Sequence, residues 1–244
     1  MIEYLDIKAL NGSLPILNKD AVASEILSEI SLYGEESHKH GAFFWHQDNS
    51  LFLSMRNSHL RIAGKIKDRE ELISFIKFIS PEYILLSENL SKELGGAIYE
   101  KGEILILEKE GEIKNFTNDP EVSVFDLASF FKKENMIENE ESFILDTAFA
   151  LSKNLCAYEV IKNNGKIVSA AFSNKITPCS AVINIVATNK DYRKKGYGFT
   201  VTEKLKNKLS GRNLFVFKEI DKNNEFYTKL SFKFYDNFIT IKEY

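Results

Sequence analysis

Hydrophobic and polar positions alternate between two periods along this chain. Over Ala21–Leu32, Val22, Ile26 and Ile30 recur at helical spacing behind Asp20, a candidate N-cap. Three strand-like runs follow, Ala42–His46, Leu51–Arg56 and Leu60–Lys65, separated by polar turns at 47–50 and 57–58. The helical period returns over Asp68–Ile79 through Leu72, Phe75, Ile76 and Ile79, with Pro81 just past its end. Tyr83–Leu86 predicts a short strand. Glu88–Leu94 predicts a short helix stopped by Gly95-Gly96. Ala97–Glu100 and Glu103–Glu108 predict a hairpin turning at Lys101-Gly102.

The polar segment Lys109–Pro120 then breaks the pattern and marks a junction between residues 1–115 and 116–244. Beyond it come two helices, Val124–Phe131 and Glu141–Leu155. Strands Ala157–Lys162 and Lys166–Ser173 are joined by Asn163-Asn164-Gly165, a hairpin signal. Ser180–Thr188 is nearly all apolar, as in one central strand covered on both faces. A helix over Gly198–Leu209, a strand over Leu214–Lys218, a short helix over Asn223–Leu230 and two strands, Phe232–Tyr235 and Phe238–Ile241, end the chain. Both halves thus run three strands, a helix, a strand, a short helix and two strands. No repeat shows at the level of residues. The expectation is an α+β (mixed α/β) chain in which one fold occurs twice, the first copy degenerate; two unrelated α+β domains are the alternative.

Composition narrows the partners. The 244 residues are 44% hydrophobic and 27% charged, with a formal net charge of −3. That suits a soluble globular chain and argues against nucleic acid as a bulk partner. Met1–Leu10 carries acids and no long apolar run, so it does not read as a signal peptide, and no stretch is long and apolar enough to span a membrane. A cytoplasmic protein, monomer or homodimer, is expected. Cys156 and Cys179 read as reduced thiols without metal-ligand spacing. His38 and His40 beside Glu35 and Glu36 lack a third ligand, so no metal is expected. His46 and His59 read as packing residues on strands. Phe43, Phe44 and Trp45 read as core more readily than as an acceptor pocket. The C-terminal aromatics (Phe232, Phe234, Tyr235, Phe238, Tyr244) read as sheet and core, and the acidic run Glu138–Glu141 as a solvated helix entry.

One stretch carries chemistry. After the apolar run ending at Thr188, the turn Arg193-Lys194-Lys195-Gly196-Tyr197-Gly198 leads into a helix. The first turn of a helix offers free N–H groups and a partial positive charge, so an anion such as a pyrophosphate docks there. Gly196 and Gly198 leave the backbone accessible, and the basic residues add positive potential. The pattern is neither a Walker loop nor a dinucleotide fingerprint, because Val201 stands where a third glycine would be.

The stretch resembles motif A (Arg/Gln-x-x-Gly-x-Gly/Ala after a strand) of the GCN5-related N-acetyltransferases (GNATs). Asn224-Glu225-Phe226-Tyr227-Thr228-Lys229-Leu230-Ser231-Phe232 resembles that family's motif B, at the right separation. The resemblance covers about Val122–Tyr244 and looks closest to the glycine N-acyltransferase-like branch; the turn Ala63–Arg69 of the first half has one glycine and no such loop. It implies a GNAT fold, a central, mostly antiparallel mixed sheet flanked by helices, in tandem with a degenerate first copy. It implies an acyl-CoA-dependent N-acyltransferase using acetyl-CoA as co-substrate, without metal, on a small amine or amino-acid acceptor. Backbone groups of Val186, Ala187 and Thr188 would pair with the pantetheine arm and polarise the thioester. Arg193, Lys194, Lys195, Gly196, Tyr197, Gly198 and Phe199 would hold the pyrophosphate, with Asn224 contributing at motif B. Tyr227 would protonate the leaving thiolate.

Two positions depart from the family. Ser231 replaces a usual glycine. Asn184 stands where many members carry a basic glutamate, which leaves Glu159 as the candidate base, or no base at all. A non-catalytic acyl-CoA-binding module and a protein or peptide N-acetyltransferase therefore remain alternatives.

Overall fold

A computed structural model describes residues 1–7 and 20–242; Tyr244 and positions 8–10 of the leading segment lie outside the described residues. The chain divides into two compact units. Unit 1 holds Met1–Leu105, Phe217–Lys222 and Phe234–Tyr244; unit 2 holds Ile106–Val216 and Asn223–Lys233.

Unit 1 opens with β1 (Ile2–Tyr4) and α1 (Ala21–Tyr33), the latter capped by Asp20, whose carboxylate accepts from the Ala23 N–H. A 3-10 turn over Gly34–His40 holds His38 and His40. Then come β2 (Phe43–Gln47), β3 (Leu51–Arg56), β4 (His59–Gly64), α2 (Arg69–Ile79), β5 (Tyr83–Ser87), α3 (Glu88–Leu94) and β6 (Ile98–Leu107). The sheet of unit 1 runs β1-β2-β3-β4-β5, then the last strand, β13 (Lys233–Lys242), then β6 and the end of β12 (Asn213–Glu219). It is mixed: β4 and β5 are parallel, as expected across the helical connection α2, while β1-β2, β2-β3, β3-β4 and β5-β13 are antiparallel. Odd positions of β3 and even positions of β4 bury Leu51, Leu53, Leu60 and Ile62 with Leu72 and Ile76 of α2, Leu90 and Leu94 of α3, and Ile239 and Ile241 of β13. Trp45 joins this core, with Phe43 and Phe75 packed on it, while Phe44 is buried. The other face meets α1, where Glu25 and Glu29 pair with Arg61 of β4 at 2.7 and 3.0 Å. His46 accepts from the Asn49 N–H, and His59 packs edge-on against Tyr83.

Unit 2 contains α4 (Val124–Lys133), α5 (Glu140–Ser152), β7 (Ala157–Asn163), β8 (Lys166–Ser173), β9 (Lys175–Ile176), β10 (Ser180–Val182), β11 (Ile185–Thr188), α6 (Tyr197–Lys208) and α7 (Asn224–Lys229). Phe131 of α4 and Phe143 of α5 close on Phe172 of β8, while α6 packs against β7, β8 and β11. Burial pushes the Cys156 thiol up, and both cysteines are free.

Three sequence expectations give way here. The predicted hairpin is instead the single strand β6 (Ile98–Leu107): Gly102 is extended, and a Cβ there would lie 2.2 Å from the Phe238 ring. The glycine serves a close approach, not a turn. The two C-terminal strands are likewise one, β13, over Lys233–Lys242. The apolar run Ser180–Thr188 is two strands, β10 and β11, that join different sheets.

Candidate functional site

The division of that run creates the site. β10 pairs in parallel with β12 (Ala181 opposite Leu214), whereas β11 pairs antiparallel with β8 (Val186 opposite Ala171). The facing strand breaks at the same level: β8 ends at Ser173, and β9 resumes at Lys175 to pair with β10. Two asparagines sit at the two breaks. Asn184 donates its N–H to the Phe172 carbonyl at 3.0 Å, and its side-chain oxygen accepts from the Asn174 N–H at 3.1 Å. Meanwhile the Ile183 N–H stays with the Phe215 carbonyl of β12 at 2.9 Å. The strands therefore part at Ile183-Asn184, and β11 becomes an edge of the three-stranded sheet β11-β8-β7.

The register decides which backbone groups that edge exposes. Asn189 donates to the Val168 carbonyl at 2.9 Å, so residues 185, 187 and 189 point their peptide groups at β8. The groups of Val186 and Thr188 point to the open edge. Ala187, by contrast, is committed to the ladder, and its side chain is buried.

From Asn189 the chain makes a 3-10 turn over Lys190–Tyr192, capped by the Asn189 side chain, and then the loop Arg193–Gly196. Lys194 (φ 61) and Gly196 (φ 81) are both left-handed, a geometry in which backbone N–H groups of a turn can converge on an anion. Gly196 is the N-cap of α6 and has no side-chain cap, and no acidic residue occupies the first turn. The first N–H groups of α6 are thus open to a ligand. Gly198 permits close packing, because a Cβ there would lie 3.1 Å from the Thr188 hydroxyl.

Loop, strand end and α7 enclose a cleft of about 450 Å³ lined by Val186, Thr188, Tyr192, Arg193, Lys194, Gly196, Tyr197, Gly198, Phe199, Asn223, Phe226 and Tyr227. Tyr227 is 8% exposed, and burial pushes its phenol up to about 12, so it stays protonated at neutral pH. Phe226 and Phe232 meet its ring edge-on. Eight sequence candidates therefore meet in one cavity: Val186, Thr188, Arg193, Lys194, Gly196, Tyr197, Gly198 and Phe199, with Tyr227 as the ninth.

Four candidates are placed elsewhere. Glu159 on β7 pairs with Lys208 of α6 at 2.5 Å and does not line the cleft. Ala187 faces away. Lys195 turns its ammonium to the Asp191 carbonyl and over the Tyr192 ring. Asn224 is exposed at the start of α7, and its neighbour Asn223 lines the cleft instead. Arg193 lines the cleft, but its Nε donates to the Thr188 carbonyl at 2.9 Å and its guanidinium lies 3.7 Å from Glu134. It braces the loop against the strand end. Tyr192, Asn223 and Phe226 are cleft residues that the sequence did not single out. Tyr192 carried a signal, as an aromatic beside the basic turn; its stacking on Tyr197 at 6.2 Å and its bond from Asn163 depend on the fold.

The corresponding turn of unit 1, between β4 and α2, is closed by side chains, one of them from β2. Buried Gln47 accepts from the N–H groups of Lys67 and Asp68 at 2.9 and 3.1 Å, and Asp68 caps α2 by accepting from Glu71. Gln47 also donates to the Asp68 carbonyl and to Glu71. Among the described residues, no three His, Cys, Asp or Glu side chains are grouped to hold a metal ion, and no helix is long and apolar enough to cross a membrane.

No protein-family model and no curated protein matches the chain. Solved structures do. A GCN5-related N-acetyltransferase from Sphaerobacter thermophilus aligns at TM-score 0.58 and 12% identity, over 98% of this chain and 94% of that one. A GNAT-family acetyltransferase from Colwellia psychrerythraea aligns at TM-score 0.57 and 13% identity over 100% of both chains. A tandem GNAT protein from the clavulanic acid biosynthesis pathway aligns at TM-score 0.57 and 9% identity, over 99% of this chain and 98% of that one. At such identities the likeness is one of architecture, and what it establishes is that this chain has the fold of the GCN5-related N-acetyltransferases.

Proposed function

We propose that unit 2 binds acetyl-CoA and transfers its acetyl group to the amine of a small molecule or amino acid. The observation that carries this reading is one cleft bounded by three things: the open edge of β11, the uncapped start of α6 and the protonated Tyr227. The pyrophosphate sits on the N–H groups that follow Lys194. The pantetheine arm lies along β11 as an added strand, paired with the peptide groups of Val186 and the N–H of Thr188, whose carbonyl is taken by Arg193. The Val186 N–H polarises the thioester carbonyl and stabilises the oxyanion formed when a neutral amine attacks. Tyr227 then donates to the departing thiolate. A thiol, with a usual pKa near 8.5, is a stronger acid than a phenol held at about 12. The hydrogen bond therefore supplies the stabilisation, and complete proton transfer is uphill in the resting site.

A non-catalytic binder is the second reading, and one observation favours it. Among the described residues no carboxylate lines the cleft: Glu159 is engaged by Lys208, and Asn184 by the Asn174 N–H. Under the catalytic reading the amine attacks neutral, and the proton its nitrogen sheds as the amide forms passes through water to the departing thiolate. Calorimetry with acetyl-CoA tests the site itself. Binding by the wild type, with Gly196→Glu at least a hundredfold weaker, is expected. A glutamate there would be strained at φ 81 and would set a carboxylate against the pyrophosphate. Equal affinities would dispose of the loop assignment. Acetyl transfer across a panel of amines, amino acids and peptides separates enzyme from binder and identifies the acceptor class.

A further inference from the structure

The phosphate loop is held by a side chain outside the cleft. Glu134 caps the C-terminus of α4, and its carboxylate is only 8% exposed. A carboxylate at a helix C-terminus opposes the helix dipole, which Lys132 and Lys133 of the same turn partly offset. Its position is explained by what it meets. One oxygen accepts from the Asn189 side-chain N–H at 2.7 Å, and the other lies 3.7 Å from the Arg193 guanidinium. Asn189 is where β11 ends: its N–H closes the ladder to Val168, and its side-chain oxygen accepts from the Asp191 N–H to start the 3-10 turn. Arg193 opens the loop and reaches back to the Thr188 carbonyl. Both ends of the segment Asn189–Arg193 thus converge on one buried carboxylate, directly before the strained left-handed Lys194.

We infer that Glu134 is a positioning residue for coenzyme binding. Acting chiefly through Asn189, it fixes the start of the loop so that the loop N–H groups face the pyrophosphate before the ligand arrives, which lowers the ordering cost of binding. This inference rests on the acetyl-CoA reading of the cleft. The strong contact is the short, buried bond to Asn189; the Arg193 contact is longer and more exposed, and it contributes little.

A donor-acceptor exchange tests it. Asn189→Asp keeps the oxygen that starts the 3-10 turn but removes the donor and sets two carboxylates together. It is expected to weaken acetyl-CoA binding about tenfold in calorimetry. The pair E134Q/N189D restores a hydrogen bond with its direction reversed and the original net charge, and is expected to return affinity to within threefold of wild type. E134A alone removes the acceptor of the Asn189 side chain and should weaken binding about tenfold. Thermal midpoints followed in parallel report folding, and a merely structural role would move them without this pattern of loss and rescue. If N189D or E134A binds as the wild type does, or if the pair binds as weakly as N189D, the inference is overturned. If the wild type itself does not bind acetyl-CoA, the coenzyme reading fails first and takes the clamp with it.

Discussion

Tyr227 is where binding and chemistry separate. Its hydroxyl touches the leaving group in the proposed reaction but no phosphate, so Tyr227→Phe should lower kcat by about a hundredfold while leaving acetyl-CoA affinity within threefold. Unchanged turnover would mean that the thiolate leaves without it. The same residue fixes the alkaline limit: with the phenol at about 12, the rate should show no loss from Tyr227 ionisation below pH 10. Ser231 makes a different point. It follows α7 at φ 67, where its N–H donates to the Thr228 carbonyl in the helix-ending turn. A non-glycine residue there costs about 1–2 kcal/mol, and replacing it with glycine returns unfolded-chain freedom of roughly half that. Ser231→Gly is therefore expected to stabilise by about 0.5–1 kcal/mol in urea unfolding. The sequence made both residues visible, one by its place in a motif and the other as a departure from it. Asn184 was visible only as a missing carboxylate. Its bond to the Asn174 N–H needs two strand breaks at one level, which no local pattern reports.

Among elements, helices were the most legible. Asp20 and Asp68 cap α1 and α2 as side-chain chemistry demands, and the starts of both helices fall where the sequence put them. Strands were harder, because a glycine or a polar pair interrupts an apolar run whether or not the chain turns. Gly102 does not turn, for its missing Cβ makes room for Phe238. The opposite error occurred at β10 and β11, where unbroken apolar character hid a change of sheet. That change depends on Asn184. Removing its side-chain acceptor by Asn184→Ala leaves the Asn174 N–H without a partner and should cost about 1–3 kcal/mol of stability. Asn184→Asp keeps the acceptor and should cost less. Equal costs for the two would show that the bond does not hold the strands apart.

For the whole molecule, the two units treat one architectural position differently. The turn before α6 leaves its N–H groups open, whereas Gln47 and Asp68 fill the turn before α2. One acetyl-CoA per chain is the expected stoichiometry, and a calorimetric value near two would show that Gln47 gives way. The sequence suggested this contrast through the lone Gly64 in the first turn, but the residue that closes the turn comes from β2 and lies far from any motif. The division of the chain has a further consequence, in the order of synthesis. Ile239 and Ile241 belong to the core of unit 1, beside Ile84 and Leu86, yet they are translated more than 150 residues after those partners. Until then β5 lacks its β13 neighbour, an exposed edge of the kind that recruits other strands. On the ribosome, the first half of this chain must wait for β13 before it can close.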